Sequence, residues 1–102
     1  MLFLQISTHT AESCPIHNEK MKKLFTDVYN KMGPMAKKYG VKMVGSWVSM
    51  PEHLIIMVYD APNSEAMTKM MMEPDMMTWI AHNSSTMRPV MTLDEAMKQV
   101  SK

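Results

Sequence analysis

The stretch VKMVGSWVSMPEHLIIMVYD, residues 41–60, decides the fold. Val41 to Val48 reads as one strand and His53 to Asp60 as another. The four residues Ser49-Met50-Pro51-Glu52 between them are short enough for a hairpin connection. The second run is apolar on both sides, with Leu54, Ile56 and Val58 against Ile55, Met57 and Tyr59. That pattern suits a strand in the middle of a sheet.

On either side of this hairpin the spacing changes to that of helices. Upstream, Met21, Leu24, Phe25, Val28, Met32, Met35, Ala36 and Tyr39 recur at intervals of three and four. This predicts an amphipathic helix from about Asn18 to Tyr39, ended by Gly40, with a kink expected at Gly33-Pro34. Downstream, residues 61–82 form a second helical stretch. Asn63 or Ser64 is its N-cap, Glu65 and Lys69 form an i,i+4 pair, and Pro74 bends or splits it. Residues 1–8 alternate, Leu2, Leu4 and Ile6 against Phe3, Gln5 and Ser7, as a strand does. TMRPVMT, residues 86–92, is a fourth strand whose Pro89 suits a sheet edge. Thr92 with Glu95 three residues later is a capping box opening a short C-terminal helix.

The order is β-α-β-β-α-β plus a tail helix, an α+β chain with the split βαβ of the ferredoxin-like fold and a four-stranded antiparallel sheet. One domain accounts for all 102 residues. Both helices then cover one face of the sheet. The other face is expected to carry Phe3, members of the Met43/Trp47 or Val44/Val48 pairs, and one side of the third strand, a patch of the kind that marks an interface. In this order of elements the chain resembles the dimeric α/β-barrel superfamily, in which two such sheets pack face to face. The resemblance implies a homodimer, or a higher homo-oligomer. It implies little about chemistry, because small monooxygenases, isomerases, haem-handling enzymes and metal-binding proteins all share the architecture.

Composition narrows the choices. Eleven basic and ten acidic residues leave a net charge near +1, and no like-charge run exceeds a pair, so no nucleic-acid partner is expected. No segment has the roughly 20 apolar residues of a membrane span, and MLFLQIST lacks a basic leader. With a single cysteine, the chain reads as a cytoplasmic protein with no membrane partner. Of its 16 methionines, Met21, Met32, Met35, Met67, Met70, Met71 and Met77 fall on helical stripes as core filler, whereas Met72 and Met76 sit less clearly on a stripe. No glycine-rich phosphate loop, CxxC or HExxH occurs.

The candidate chemistry comes from topology. Calling the end of the first strand the top, His9 and the loop holding Cys14 and His17 stand there. A βαβ unit leaves its two strands parallel, so the hairpin with Glu52 and His53 is also at the top, and the second helix climbs back to deliver His82. His17 reads as a solvated residue ahead of the helix. His9, Cys14, His53 and His82 are the candidate metal ligands, and imidazole with thiolate suits Zn, Ni, Cu or Fe rather than Mg or Ca. Cys14 and Glu52 are the candidate catalytic groups, the first as thiolate or redox partner, the second as base or orienting carboxylate. Ser13-Cys14-Pro15 also reads as an ordinary lead-in to a helix, with Ser13 as cap. The first expectation is a small transition-metal-binding protein, or a metalloenzyme. The alternative is a metal-independent enzyme, or a haem-binding one, holding a small apolar substrate in a pocket lined by Trp47, Tyr59, Trp79 and methionines, with His9 or His53 as base.

Overall fold

The computed structural model describes residues 1–101. The elements run β1 (Leu2–Thr8), α1 (Glu19–Lys38), β2 (Lys42–Ser49), β3 (Leu54–Asp60), α2 (Ser64–Met71), α3 (Pro74–Ala81), β4 (Ser84–Val90) and α4 (Leu93–Val100). The four strands make one sheet in the order β2-β3-β1-β4, antiparallel throughout. This is an α+β architecture with β3 inside the sheet and β4, with Pro89, at its edge, consistent with the split βαβ arrangement. Among the described residues no helix is long and apolar enough to cross a membrane.

The helix limits follow from capping chemistry. Asn18 Oδ1 accepts from the Met21 amide and starts α1, and Gly40, at φ 70°, ends it in the left-handed conformation that glycine adopts without strain. α1 runs through Pro34 as one helix. The expected cap at Ser13 is not used, so Cys14 lies in a turn ahead of the helix and not on its first amides. Asn63 caps α2 through the Ala66 amide, and Thr92 caps α4 through the Glu95 amide.

Pro74 splits the second helical stretch into α2 and α3. Glu73 fastens the break to the end of α1: its carboxylate accepts from the Tyr39 hydroxyl and from the Lys38 ammonium at 2.9 Å. Those two bonds hold its carboxyl below the usual carboxylate range. The split also resets the helical phase. Met76, less clearly on the expected stripe, is 1 % exposed, and Met77, expected on it, is 53 % exposed. A proline at the first position of a new helix starts a new count, so spacing carried over from Met67 and Met70 points to the wrong neighbour.

The core lies between α1, α2 and α3 and one face of the sheet. Phe3, Met21, Val28, Met32, Met35, Tyr59, Met70, Met76 and Trp79 are all buried there. Phe3 was expected on the helix-free face and is instead inside. Register explains the reversal. Phe3 pairs with Tyr59, and Gln5 with Met57, on the covered face. Leu4 pairs with Val58, and Ile6 with Ile56, on the bare one. The two polar residues that β1 turns inward are satisfied: Tyr59 donates to Gln5 Oε1 at 2.6 Å, and the Ser7 and Ser85 hydroxyls share a hydrogen bond of 2.8 Å. The stronger apolar face of β1 therefore looks away from the helices.

Two global dimensions agree. The molecule is a slab with a shortest extent of 17 Å, the thickness of one sheet and one helical layer. Its radius of gyration, 14.9 Å, exceeds the ~13 Å of a compact chain of this length. No residue of α4 is buried, although Leu93, Met97 and Val100 form an apolar stripe along it.

Candidate metal centre

Thr8, the last residue of β1, pairs with Leu54 on one side and Ser84 on the other. His9 and His53, one residue beyond these strand ends, and His82, two residues before Ser84, therefore adjoin the same end of the sheet, as strand polarity requires. The structure draws only some of the expected ligands together. His9, Cys14 and His53 each offer a donor atom, and these atoms all lie within 4.8 Å of one another. His82 is outside this group. It caps the C-terminus of α3, is exposed, and sets Nδ1 2.8 Å from the Thr78 carbonyl oxygen. Glu52 is exposed in the hairpin turn and also outside the group, and His17 is exposed as expected.

Each member has a local reason for its place. His9 extends the β1–β3 ladder by one residue, its amide donating to the His53 carbonyl at 3.3 Å. Both follow the alternation of Ser7 and Ile55, so both imidazoles belong to the helix-covered side. Their rings meet edge to face, centroids 5.2 Å apart and planes at 68°. His53 closes the hairpin with φ 51°, the one non-glycine residue at positive φ among those described. Such a conformation costs a non-glycine residue about 1–2 kcal/mol. Strain of this kind gathers at functional positions. Cys14 is a free, buried thiol. Its amide donates to Ala11, and its carbonyl accepts from His17 at 3.0 Å and Asn18 at 2.9 Å. Two consecutive turns thus hold the residue from both sides, and Asn18, which caps α1, adds a bond from Nδ2 to the Glu12 carbonyl.

Electrostatics single out His9. Both of its ring nitrogens are buried and neither has a hydrogen-bond partner. Buried polar atoms are nearly always satisfied, and leaving one bare costs ~1–3 kcal/mol. Burial, and then the neighbouring His53 imidazole, lower the pKa of His9 from the usual 6.5. Both effects favour the neutral ring, the form that binds a metal.

Behind this group an apolar cleft of about 790 Å³ runs between α1 and the sheet. Phe25 and Val28 of α1, Met43 of β2, Ile55 and Met57 of β3, and Trp79 of α3 line it, with His9, Cys14 and His53 also on its wall. Phe25 and Trp79 brace each other edge to face at 5.2 Å. Trp47 and Trp79 were expected in such a pocket. Tyr59 was too, but it is fully buried in the core on Gln5 and does not line the cleft. Phe25, Val28 and Ile55 stood in the sequence as apolar stripe residues, and nothing in their spacing separated cleft from core.

No curated protein matches this chain. Among solved structures, the chain resembles the crystal structure of protein Atu4242 from Agrobacterium tumefaciens. The match has a TM-score of 0.51 at 12 % identity, covering 89 % of this chain and 94 % of that one. At that identity the likeness concerns the fold alone. A family model described as domain of unknown function DUF3303 matches residues 1–102, and the chain belongs to that family.

Proposed function

We propose that this protein binds one transition-metal ion per chain through His9, Cys14 and His53, and that the bound ion is its functional centre. The observation that carries this reading is the pair of unpartnered, buried ring nitrogens of His9 beside a second imidazole and a buried thiol. A tetrahedral ion with bonds of ~2.0–2.1 Å to nitrogen and ~2.3 Å to sulfur holds its donor atoms ~3.4–3.7 Å apart. Donors within 4.8 Å of one another reach that spacing by side-chain adjustments of about 1 Å. Two imidazoles and a thiolate suit Zn, Ni, Cu or Fe, and three protein ligands leave a fourth position for water or substrate, the pattern of catalytic zinc sites.

Untagged protein, loaded with Zn²⁺ and dialysed, is expected to retain one ion per chain by elemental analysis. His9→Ala/His53→Ala is expected to retain less than a tenth of that. A double variant holding as much metal as the parent defeats the proposal.

The working unit we propose is a homodimer joined through the bare sheet face. Leu4, Ile6, Ile56 and Val58 form an apolar strip at its centre, with no element among the described residues to cover it. Three strands of seven residues and one of eight span about 23 by 19 Å, or ~440 Å² in projection. With the apolar stripe of α4 added, the face approaches the ~800 Å² per partner of a standard interface. A second copy offers the same apolar strip, so the contact is self-complementary about a two-fold axis.

A further inference from the structure

We infer that the metal centre receives a small, mostly apolar molecule carrying one anionic oxygen head group, its aromatic or alkyl body lying in the cleft and its head on the ion. The inference rests on the metal-binding reading and adds the class of ligand to it.

Three observations lead there. First, the cleft and the His9, Cys14 and His53 group are continuous, since all three residues are part of the cleft wall. An occupant of the cleft therefore ends at the metal. Second, the remaining lining is mostly apolar, with Tyr29, Asn30 and Ser46 as its polar members. Phe25, Val28, Ile55 and Trp79 provide no ion-pairing partner, and among the described residues no lysine, arginine or carboxylate lines the cleft. A volume of about 790 Å³ falls within the range of small-molecule sites, ample for a phenyl group or a short alkyl chain. A polar body would lose its hydration there without replacement. Third, a divalent ion held by one thiolate and two neutral imidazoles keeps a net charge of +1 on the wall of an apolar cleft, where an unpaired charge is costly. An anionic oxygen at the fourth position neutralises that charge. An ammonium head would add to it.

The test uses the full chain loaded with Co²⁺, whose visible spectrum reports its coordination shell. Acetate, 3-phenylpropanoate and toluene serve as probes: head alone, head with body, and body alone. The expected result is that 3-phenylpropanoate changes the cobalt spectrum and binds at least tenfold more tightly than acetate. Toluene is expected to bind without that spectral change, and Ile55→Phe, which fills the cleft, to weaken 3-phenylpropanoate at least fivefold. Equal affinities for acetate and 3-phenylpropanoate on cobalt-loaded protein overturn the inference and leave the metal reading standing. Binding of 3-phenylpropanoate as tightly to metal-free protein overturns the part assigned to the ion. Failure of the protein to hold cobalt overturns both.

Discussion

His9 and His53 meet across the rung that follows the last residues of β1 and β3, joined by a 3.3 Å backbone hydrogen bond with their imidazoles edge to face at 5.2 Å. Antiparallel pairing turns a separation of 44 positions into a direct contact. Neither ring nitrogen of His9 gains a bond from it. The contact brings donors together without satisfying them, and that separates a ligand site from a structural histidine pair.

The left-handed backbone of His53 allows its two roles to be told apart. His53→Gly removes the imidazole and relieves a φ of 51°. In metal-free protein it is expected to be neutral or stabilising by up to about 1 kcal/mol, measured by urea denaturation. Metal affinity is expected to fall at least 100-fold. A loss of more than 2 kcal/mol in metal-free protein would show that the ring is there for packing.

Metal-free protein is expected to lose stability on mild acidification because of His9. Its folded pKa is lowered, so below 6.5 the unfolded chain binds a proton that the folded one resists. Stability is therefore complete above 6.5 and declines as pH falls from there toward the lowered value, with no further loss from this group beneath it. NMR titration of the His9 ring protons checks the sign, and a midpoint above 6.5 contradicts it. His9→Leu is expected to flatten the decline.

In the core, the Tyr59 hydroxyl is the donor to Gln5 Oε1 at 2.6 Å, in a site where burial pushes the phenol pKa above its usual 10.0. Tyr59→Phe leaves that buried amide oxygen without its donor and is expected to cost ~1–3 kcal/mol. Gln5→Leu/Tyr59→Phe removes both partners and is expected to recover at least half of the loss. Thermal or urea unfolding of the two variants makes the comparison, and additive costs would mean that the bond is not the relevant contact.

The bare face of the sheet predicts a mass. Light scattering is expected to give twice 11.7 kDa for the parent chain and 11.7 kDa for Ile6→Lys, which sets a charge opposite Ile56 at the centre of the strip. A parent chain that stays at 11.7 kDa at high micromolar concentration rules out the dimer.

Much of this was legible in the sequence because local signals agreed with one another. The hairpin of residues 41–60, the helix ending at Gly40 and the Thr92 cap each rest on short-range chemistry that tertiary packing did not override. The failures have a common cause, which is that period gives faces but not their direction. Alternation in β1 separated Phe3 from Leu4 and Ile6 correctly. It could not say which set the helices cover, since Gln5 and Ser7 become core residues only through Tyr59 and Ser85. The methionines after Pro74 fail similarly, through a phase the proline reset. At the candidate centre, strand polarity carried His9 and His53 to one end. The last few ångströms depended on side-chain direction, and there His82 turns to the Thr78 carbonyl and drops out of the group.

X-ray absorption at the metal edge, on untagged protein loaded with one equivalent of Zn²⁺, bears most directly on His9, Cys14 and His53 as ligands. The expected first shell holds one sulfur at ~2.3 Å and two imidazole nitrogens at ~2.0–2.1 Å, with one further light atom. Cys14→Ser is expected to abolish the sulfur contribution. A shell of oxygen and nitrogen alone in the parent protein, unchanged by Cys14→Ser and by His9→Ala, would contradict the centre built here.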